Sequence, residues 1–222
     1  MMAEQLIIFG AGDIAQLAHY YFSADPGYAP AAFTVDEAYL KQDVFCGLPV
    51  VPFDGVDRRY PPSEYRFFVA LSYSRVNAVR KEKFLAAKAL GYRLATFVSP
   101  HATVLNDGRI GENCFILEDN TIQPLVTIGD NVTLWSGNHI GHHARIGDHC
   151  FISSHVVVSG GVHIGEQCFI GVNATLRDHI TVAERCVIGA GTLIMADTRP
   201  DEVYIGRATE GATITSDKLK KI

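Results

Sequence analysis

A small Rossmann-like α/β domain followed by a parallel β-helix of hexapeptide repeats is the fold class this sequence predicts, and three observations predict it. Aliphatic residues recur every six positions through seventeen consecutive units. Cysteines inside that run recur at intervals of eighteen. Ahead of it, short apolar runs alternate with helical stretches, and a glycine turn joins the first pair.

The amino-terminal part comes first in the chain. Leu6-Ile7-Ile8-Phe9 predicts a short buried strand, and Gly10-Ala11-Gly12-Asp13-Ile14-Ala15 opens a helix running through Phe22. Ala32 to Val35 predicts a second strand ending at Asp36, and Phe45 to Val51 a small hairpin around Gly47. Tyr65 to Leu71 predicts a third strand, and Val76 to Leu90 a helix closed by Gly91. Tyr92 to Val98 predicts a fourth strand that feeds the next domain. Strands alternating with helices imply a parallel sheet with right-handed crossovers. Expected boundaries are 1–97 for this domain, 98–205 for the solenoid and 206–222 for a tail.

The period of six begins at Val98 and runs through Val104, Ile110, Ile116 and onward to Ile188 and Ile194. A helix of 3.6 residues per turn would smear such a stripe around its cylinder. Short strands broken by corners keep it pointing inward, with glycine easing the bends. Cys150, Cys168 and Cys186 are eighteen apart, Cys114 lies two intervals earlier, and Val132 fills the gap. Three six-residue faces per coil therefore stack these side chains in one inward column of small hydrophobes. At 4.8 Å per rung the prism stands roughly 25 Å tall.

Composition narrows the function classes. The chain has 222 residues and a formal net charge of -5, which argues against a nucleic-acid footprint. No apolar run reaches membrane-spanning length, and Met1 to Phe9 lacks the basic region and cleavage site of a signal peptide. Five cysteines without CxxC-type pairs point to a reducing compartment rather than a metal site. The expected location is cytoplasmic, with no metal and no membrane or nucleic-acid partner.

Two features carry candidate chemistry. Gly10-Ala11-Gly12-Asp13-Ile14-Ala15 fits the G-x-G-x-x-A fingerprint between a strand and a helix, where backbone N–H groups approach a phosphate. Asp36, twenty-four residues after Gly12, is placed to accept from a ribose or base. The unit is about half a dinucleotide domain, which favours a mononucleotide or nucleotide-linked ligand over NAD. A tight turn with no ligand is the competing explanation. The second feature is histidine: five of nine fall between His139 and His155. His142 stands outside the aliphatic column, and Gly160 follows eighteen residues later on the same face. A histidine beside an open glycine backbone supplies a general base and an N–H donor for an oxyanion. Corner decoration, expected for His149, His163 and His179, is the alternative for His142 as well.

A Gly-Ala-Gly α/β domain joined to a hexapeptide solenoid, with His142 in an I-x-H-x-x-x-I-G setting, resembles the sialic-acid O-acetyltransferase family of hexapeptide acyltransferases. That family includes N-acetyltransferases of UDP-linked 4-amino sugars for bacterial surface glycans. The resemblance covers nearly the whole chain. It implies a left-handed β-helix, a homotrimer, and acetyl-CoA as co-substrate in a groove between neighbouring prisms. By position, His142 resembles the catalytic base and Gly160 the oxyanion donor. Val172 and Ala190 resemble positions lining the CoA arm, and Gly10, Gly12 and Asp36 the contacts to the acceptor nucleotide. The family commonly has Glu or Asp directly after the catalytic histidine, where this chain has His143, so the catalytic set is expected to be His142, His143 and Gly160. The carboxyl end, Ile205-Gly206-Arg207-Ala208, lacks the proline of the usual G-x-P-A segment. Trp135 is expected near the histidine on the acceptor side, where smaller polar residues are common.

The expected activity is N-acetylation of a nucleotide-linked amino sugar by direct transfer. O-acetylation on the same fold is the nearest alternative. Two further alternatives are a carbonic-anhydrase-type zinc hydrolyase, with His139, His142, His143 and His155 as candidate ligands across a subunit boundary, and a non-catalytic ligand-binding scaffold.

Overall fold

The computed structural model describes residues 3–218. The ends at 1–2 and 219–222, including the last part of the expected tail, lie outside the described residues.

Two units follow one another. In the first, strands β1 (Glu4–Phe9), β2 (Tyr28–Val35), β3 (Val44–Phe45), β4 (Leu48–Pro52) and β5 (Tyr65–Val69) form one sheet in the order β3-β4-β2-β1-β5. All pairings are parallel except the β3–β4 hairpin. The apolar run Leu6 to Phe9 is buried on both faces, as a central parallel strand must be. Helix α1 (Asp13–Ala24) buries Ala15, Ala18 and Phe22, and a short α2 (Val56–Arg59) precedes β5. Helix α3 (Ala78–Ala89) buries Arg80, Phe84 and Ala87, and Gly91, at φ +90°, follows it.

Two local expectations need correction. The last helix starts at Ala78 rather than Val76, because Arg75, Val76 and Asn77 all have positive φ (51°, 49° and 64°), a left-handed turn that no right-handed helix can include. Tyr92 to Val98 is not a fourth strand of the sheet. Leu94 makes a single bridge to Phe67, and Phe97–Val98 pairs instead with Phe115–Ile116 of the solenoid.

The second unit is a left-handed parallel β-helix. Its two-residue strands stack into three sheets of seven, six and four strands, each paired with the residue eighteen further on for all but the last rung. That rung, Val203–Tyr204, lies sixteen residues beyond its partner Val187–Ile188. The column from Ile116 to Ile188 is buried, and Cys114, Cys150, Cys168 and Cys186 are fully buried in a neighbouring column. Their thiols donate to carbonyls of the following face, as Cys150 does to Gly165 at 3.1 Å. Burial pushes the Cys114 thiol up to about 12, so these sulfurs behave as small hydrophobes.

The α/β unit sits on the seven-stranded sheet, whose outward residues include Phe97, Phe115, Phe151 and Phe169. Tyr21 meets Phe97 and Phe115, and Tyr73 meets Phe151 and Phe169, at centroid distances of 4.7 to 5.7 Å. Arg80 reaches from α3 into this seam. Its guanidinium donates to the Asn131, His149 and Cys150 carbonyls, Thr133 Oγ1 and Asn77 Oδ1 at 2.6 to 3.1 Å. Burial lowers its pKa to about 10, still a cation at neutral pH. Among the described residues no carboxylate pairs with it; carbonyl dipoles balance it.

Candidate active site

His142 stands two residues past Ile140, at the corner where the chain leaves the six-stranded sheet for the four-stranded one. The aliphatic residue fixes the inward direction, so the imidazole is left exposed at the corner. The His142 N–H donates to Gln123 Oε1 of the preceding coil at 2.8 Å. Its Nδ1 lies 3.0 Å from Nδ1 of His143, whose backbone turns the corner at φ +60°.

Gly160 lies one coil further along the prism. A Cβ placed there would come 2.6 Å from His142 Cε1 and 2.7 Å from Nε2, so only glycine lets the ring lie against the backbone. The next residue, Gly161, donates its N–H to the His142 carbonyl at 2.8 Å and has φ +69°. The Gly160 N–H has no acceptor among the described residues. A base with a close, unengaged backbone donor is the pair that acyl transfer uses.

A cavity of about 670 Å³ surrounds this corner, lined also by Arg109, Leu125, Thr127, Arg145, His163 and His179. Its fixed charges are all cationic. His163 and His179, expected as unrelated corner residues, share this cavity with His142. His149 is not a corner decoration either. It is 5% exposed, sits beneath Phe84 of α3 at a centroid distance of 5.3 Å, and pairs through Nδ1 with Asn131 Nδ2 at 3.0 Å. Burial pushes its pKa down to about 4.

The glycine turn of the α/β unit opens on two adjoining cavities. Gly10 has φ +122°, and a Cβ there would lie 2.7 Å from the Ala70 carbonyl oxygen, so the tight strand-to-helix turn demands glycine. Gly12 caps α1, and nothing lies within 4 Å of where its Cβ would be. It borders a cavity of about 450 Å³ with Gly10, Asp36, Tyr39, Lys41 and Lys83. Asp36 is engaged by Lys83 at 2.7 Å, leaving its second oxygen for a ligand. Gly12 also borders a cavity of about 550 Å³ between the two units, with Asp13, Tyr73, Trp135, Phe151, Ser154 and Val172.

The structure therefore does not gather all the expected residues. Trp135 and Val172 face the α/β unit, in the cavity beside Gly12, and not the His142 cavity. Val172 and Ala190 follow the seven-stranded sheet, one prism corner away from His142 and Gly160, which follow the six-stranded sheet. The physical reason is the threefold turn of each coil: positions eighteen apart share a corner, and 142 and 172 are thirty apart. Arg109 and Arg145 escaped the sequence analysis although they share the outward place of one column with His163, at intervals of two coils and one coil. Gln123 and Lys83 carried no periodic signal. Among the described residues of the single chain, no three His, Cys, Asp or Glu side chains are placed together to hold a metal ion. No helix among them is long and apolar enough to cross a membrane.

This repeat architecture is the one found in hexapeptide-repeat acyltransferases. The bacterial transferase hexapeptide family (six repeats) matches residues 125–160 and 161–196. A mutant of perosamine N-acetyltransferase from Caulobacter crescentus, in complex with CoA and GDP-perosamine, is similar at 25% identity with a TM-score of 0.82, over 91% of this chain and 93% of that one. PerB of the same organism, with the same ligands, is 26% identical with a TM-score of 0.80, over 91% and 94%. The acetyltransferase domain of PglB from Neisseria gonorrhoeae FA1090, in complex with acetyl coenzyme A, is 25% identical with a TM-score of 0.80, over 92% and 97%. No curated protein sequence matches the chain. The solenoid thus carries the bacterial transferase hexapeptide repeat, and the chain is similar over nearly its whole length to sugar N-acetyltransferases.

Proposed function

We propose that the protein is an acetyl-CoA-dependent N-acetyltransferase acting on a nucleotide-linked amino sugar. The observation that carries this is the His142 ring packed on Gly160, in a two-unit chain similar throughout to enzymes described with CoA, acetyl-CoA and GDP-perosamine. In the reaction, His142 Nε2 takes a proton from the acceptor amine as its nitrogen attacks the thioester carbonyl. The new C–N bond forms, and the Gly160 N–H donates to the developing oxyanion. The intermediate then collapses, the C–S bond breaks, and the departing sulfur recovers the proton from His142. The buried cysteines supply no nucleophile.

The acceptor nucleotide occupies the cavity of Gly10, Gly12 and Asp36, and its sugar extends past Trp135. Because that cavity and the His142 corner are separate on one chain, we take the enzyme to be a homotrimer in which one protomer's sugar site faces the next protomer's base. Val172 and Ala190 then border the acetyl-CoA arm across the same boundary. Acetyl-CoA is an intracellular metabolite, so the reaction belongs in the cytoplasm.

The test is a panel of nucleotide-linked amino sugars with acetyl-CoA and a thiol-release readout, run with wild type and His142→Ala. The variant should lose roughly 10²–10⁴ in kcat with an unchanged melting temperature, since the ring is exposed. Near-normal turnover in His142→Ala overturns the assignment, and a stable, active monomer by light scattering overturns the shared site.

A further inference from the structure

We infer that His143 is the positioning residue for His142, standing where a carboxylate would orient a catalytic histidine, and that the pair shares one proton between their Nδ1 atoms. This rests on the proposed role of His142 as the base. The two Nδ1 atoms are 3.0 Å apart, with the rings at 88°. That separation is a hydrogen bond only if one nitrogen carries a proton and the other a lone pair. Two lone pairs, or two N–H groups, would repel.

Catalysis decides the direction. If His143 donated, the His142 proton would sit on Nε2, the atom facing Gly160, and the ring could not accept from an amine. With the proton on His142 Nδ1, its Nε2 keeps the lone pair, and His143 accepts at Nδ1 while protonated at Nε2. The backbone holds this arrangement before any ligand binds. The His142 N–H is tied to Gln123 and the His143 N–H to the Pro124 carbonyl at 3.3 Å, both on the preceding coil.

A neutral acceptor differs from a carboxylate in a useful way. The charged side chains around the pair are Arg109 and Arg145, with His163 and His179 beside them, and the cavity lining holds no Asp or Glu. When His142 takes the amine proton, its Nδ1–H bond to His143 becomes charge-assisted and holds the ring in place.

Two measurements test the pair. In protein labelled with ¹⁵N-histidine, long-range ¹H–¹⁵N spectra should show His142 as the Nδ1–H tautomer and His143 as the Nε2–H tautomer, each assigned by loss of its signal on substitution. The reverse tautomers overturn the proposal. In steady-state kinetics, His143→Phe should lower kcat roughly 10²-fold with little change in either KM, and His143→Glu should restore it to within about threefold of wild type. Equal rates for the Phe and Glu variants overturn it as well. If wild type acetylates no amino-sugar nucleotide, the reaction assignment fails while the tautomers still decide the shared proton. If it does acetylate one and His143→Phe is as fast, only the positioning role falls.

Discussion

The imidazole of His142 lies against the backbone of Gly160, close enough that a single methyl group there would come 2.6 Å from Cε1. Gly160 has no positive φ, so alanine is not excluded by the backbone, only by the ring. Gly160→Ala should therefore leave the fold intact and displace the base. A loss of roughly 10²-fold in kcat is expected from a shift of about 1 Å. Steady-state rates and a thermal melt of the same sample check this; a normal rate would separate the glycine from catalysis.

The open side of Gly12 gives a second prediction. No described atom lies within 4 Å of a Cβ built there, and it lies where the two cavities of the α/β unit meet. Gly12→Asp should weaken the nucleotide-linked acceptor by repelling its phosphates and leave acetyl-CoA affinity almost unchanged. Calorimetry with each ligand separately distinguishes the outcomes. Loss of CoA binding instead would return the turn to a purely structural role.

Acid stability should report on His149. Its folded-state pKa, about 4, lies below the unfolded value of 6.5, so the folded protein binds this proton more weakly. Above about pH 6.5 both states are neutral here and nothing is lost. As pH falls from 6.5 to 4, the unfolded chain gains the proton first, and stability drops by about 3 kcal/mol. Urea unfolding across that window should show a steeper decline in wild type than in His149→Asn, which keeps a small polar side chain suited to the φ +62° corner.

Arg80 holds the two units together by donation to backbone carbonyls of the solenoid. Arg80→Met would leave the His149 and Asn131 carbonyls without their donor and the Cys150 carbonyl with the Thr133 N–H alone, at a cost of about 3 kcal/mol or more. Arg80→Lys should not rescue it, because one ammonium cannot span acceptors that the planar fork reaches together. Chemical denaturation checks both. Destabilisation by less than about 0.5 kcal/mol would mean that the aromatic contacts alone hold the seam.

The period of six from Val98 to Ile194 determined the solenoid, because an inward aliphatic residue on every face satisfies only a coil of short strands. The spacing of Cys150, Cys168 and Cys186 determined the three faces, since a coil repeats a side chain only after all its corners. The same arithmetic made the His142–Gly160 pair legible, one coil apart on one corner. Only the stacking shows that Trp135 and Val172 face the α/β unit, one prism corner away from His142. Tertiary structure alone placed His149 beneath Phe84, bent Arg75 to Asn77 left-handed, and paired Phe97 with the solenoid rather than with the first sheet. Those outcomes depend on which outer face of the prism the first unit covers. A repeat specifies inward side chains by burial, but its outward side chains acquire meaning only from whatever packs against them.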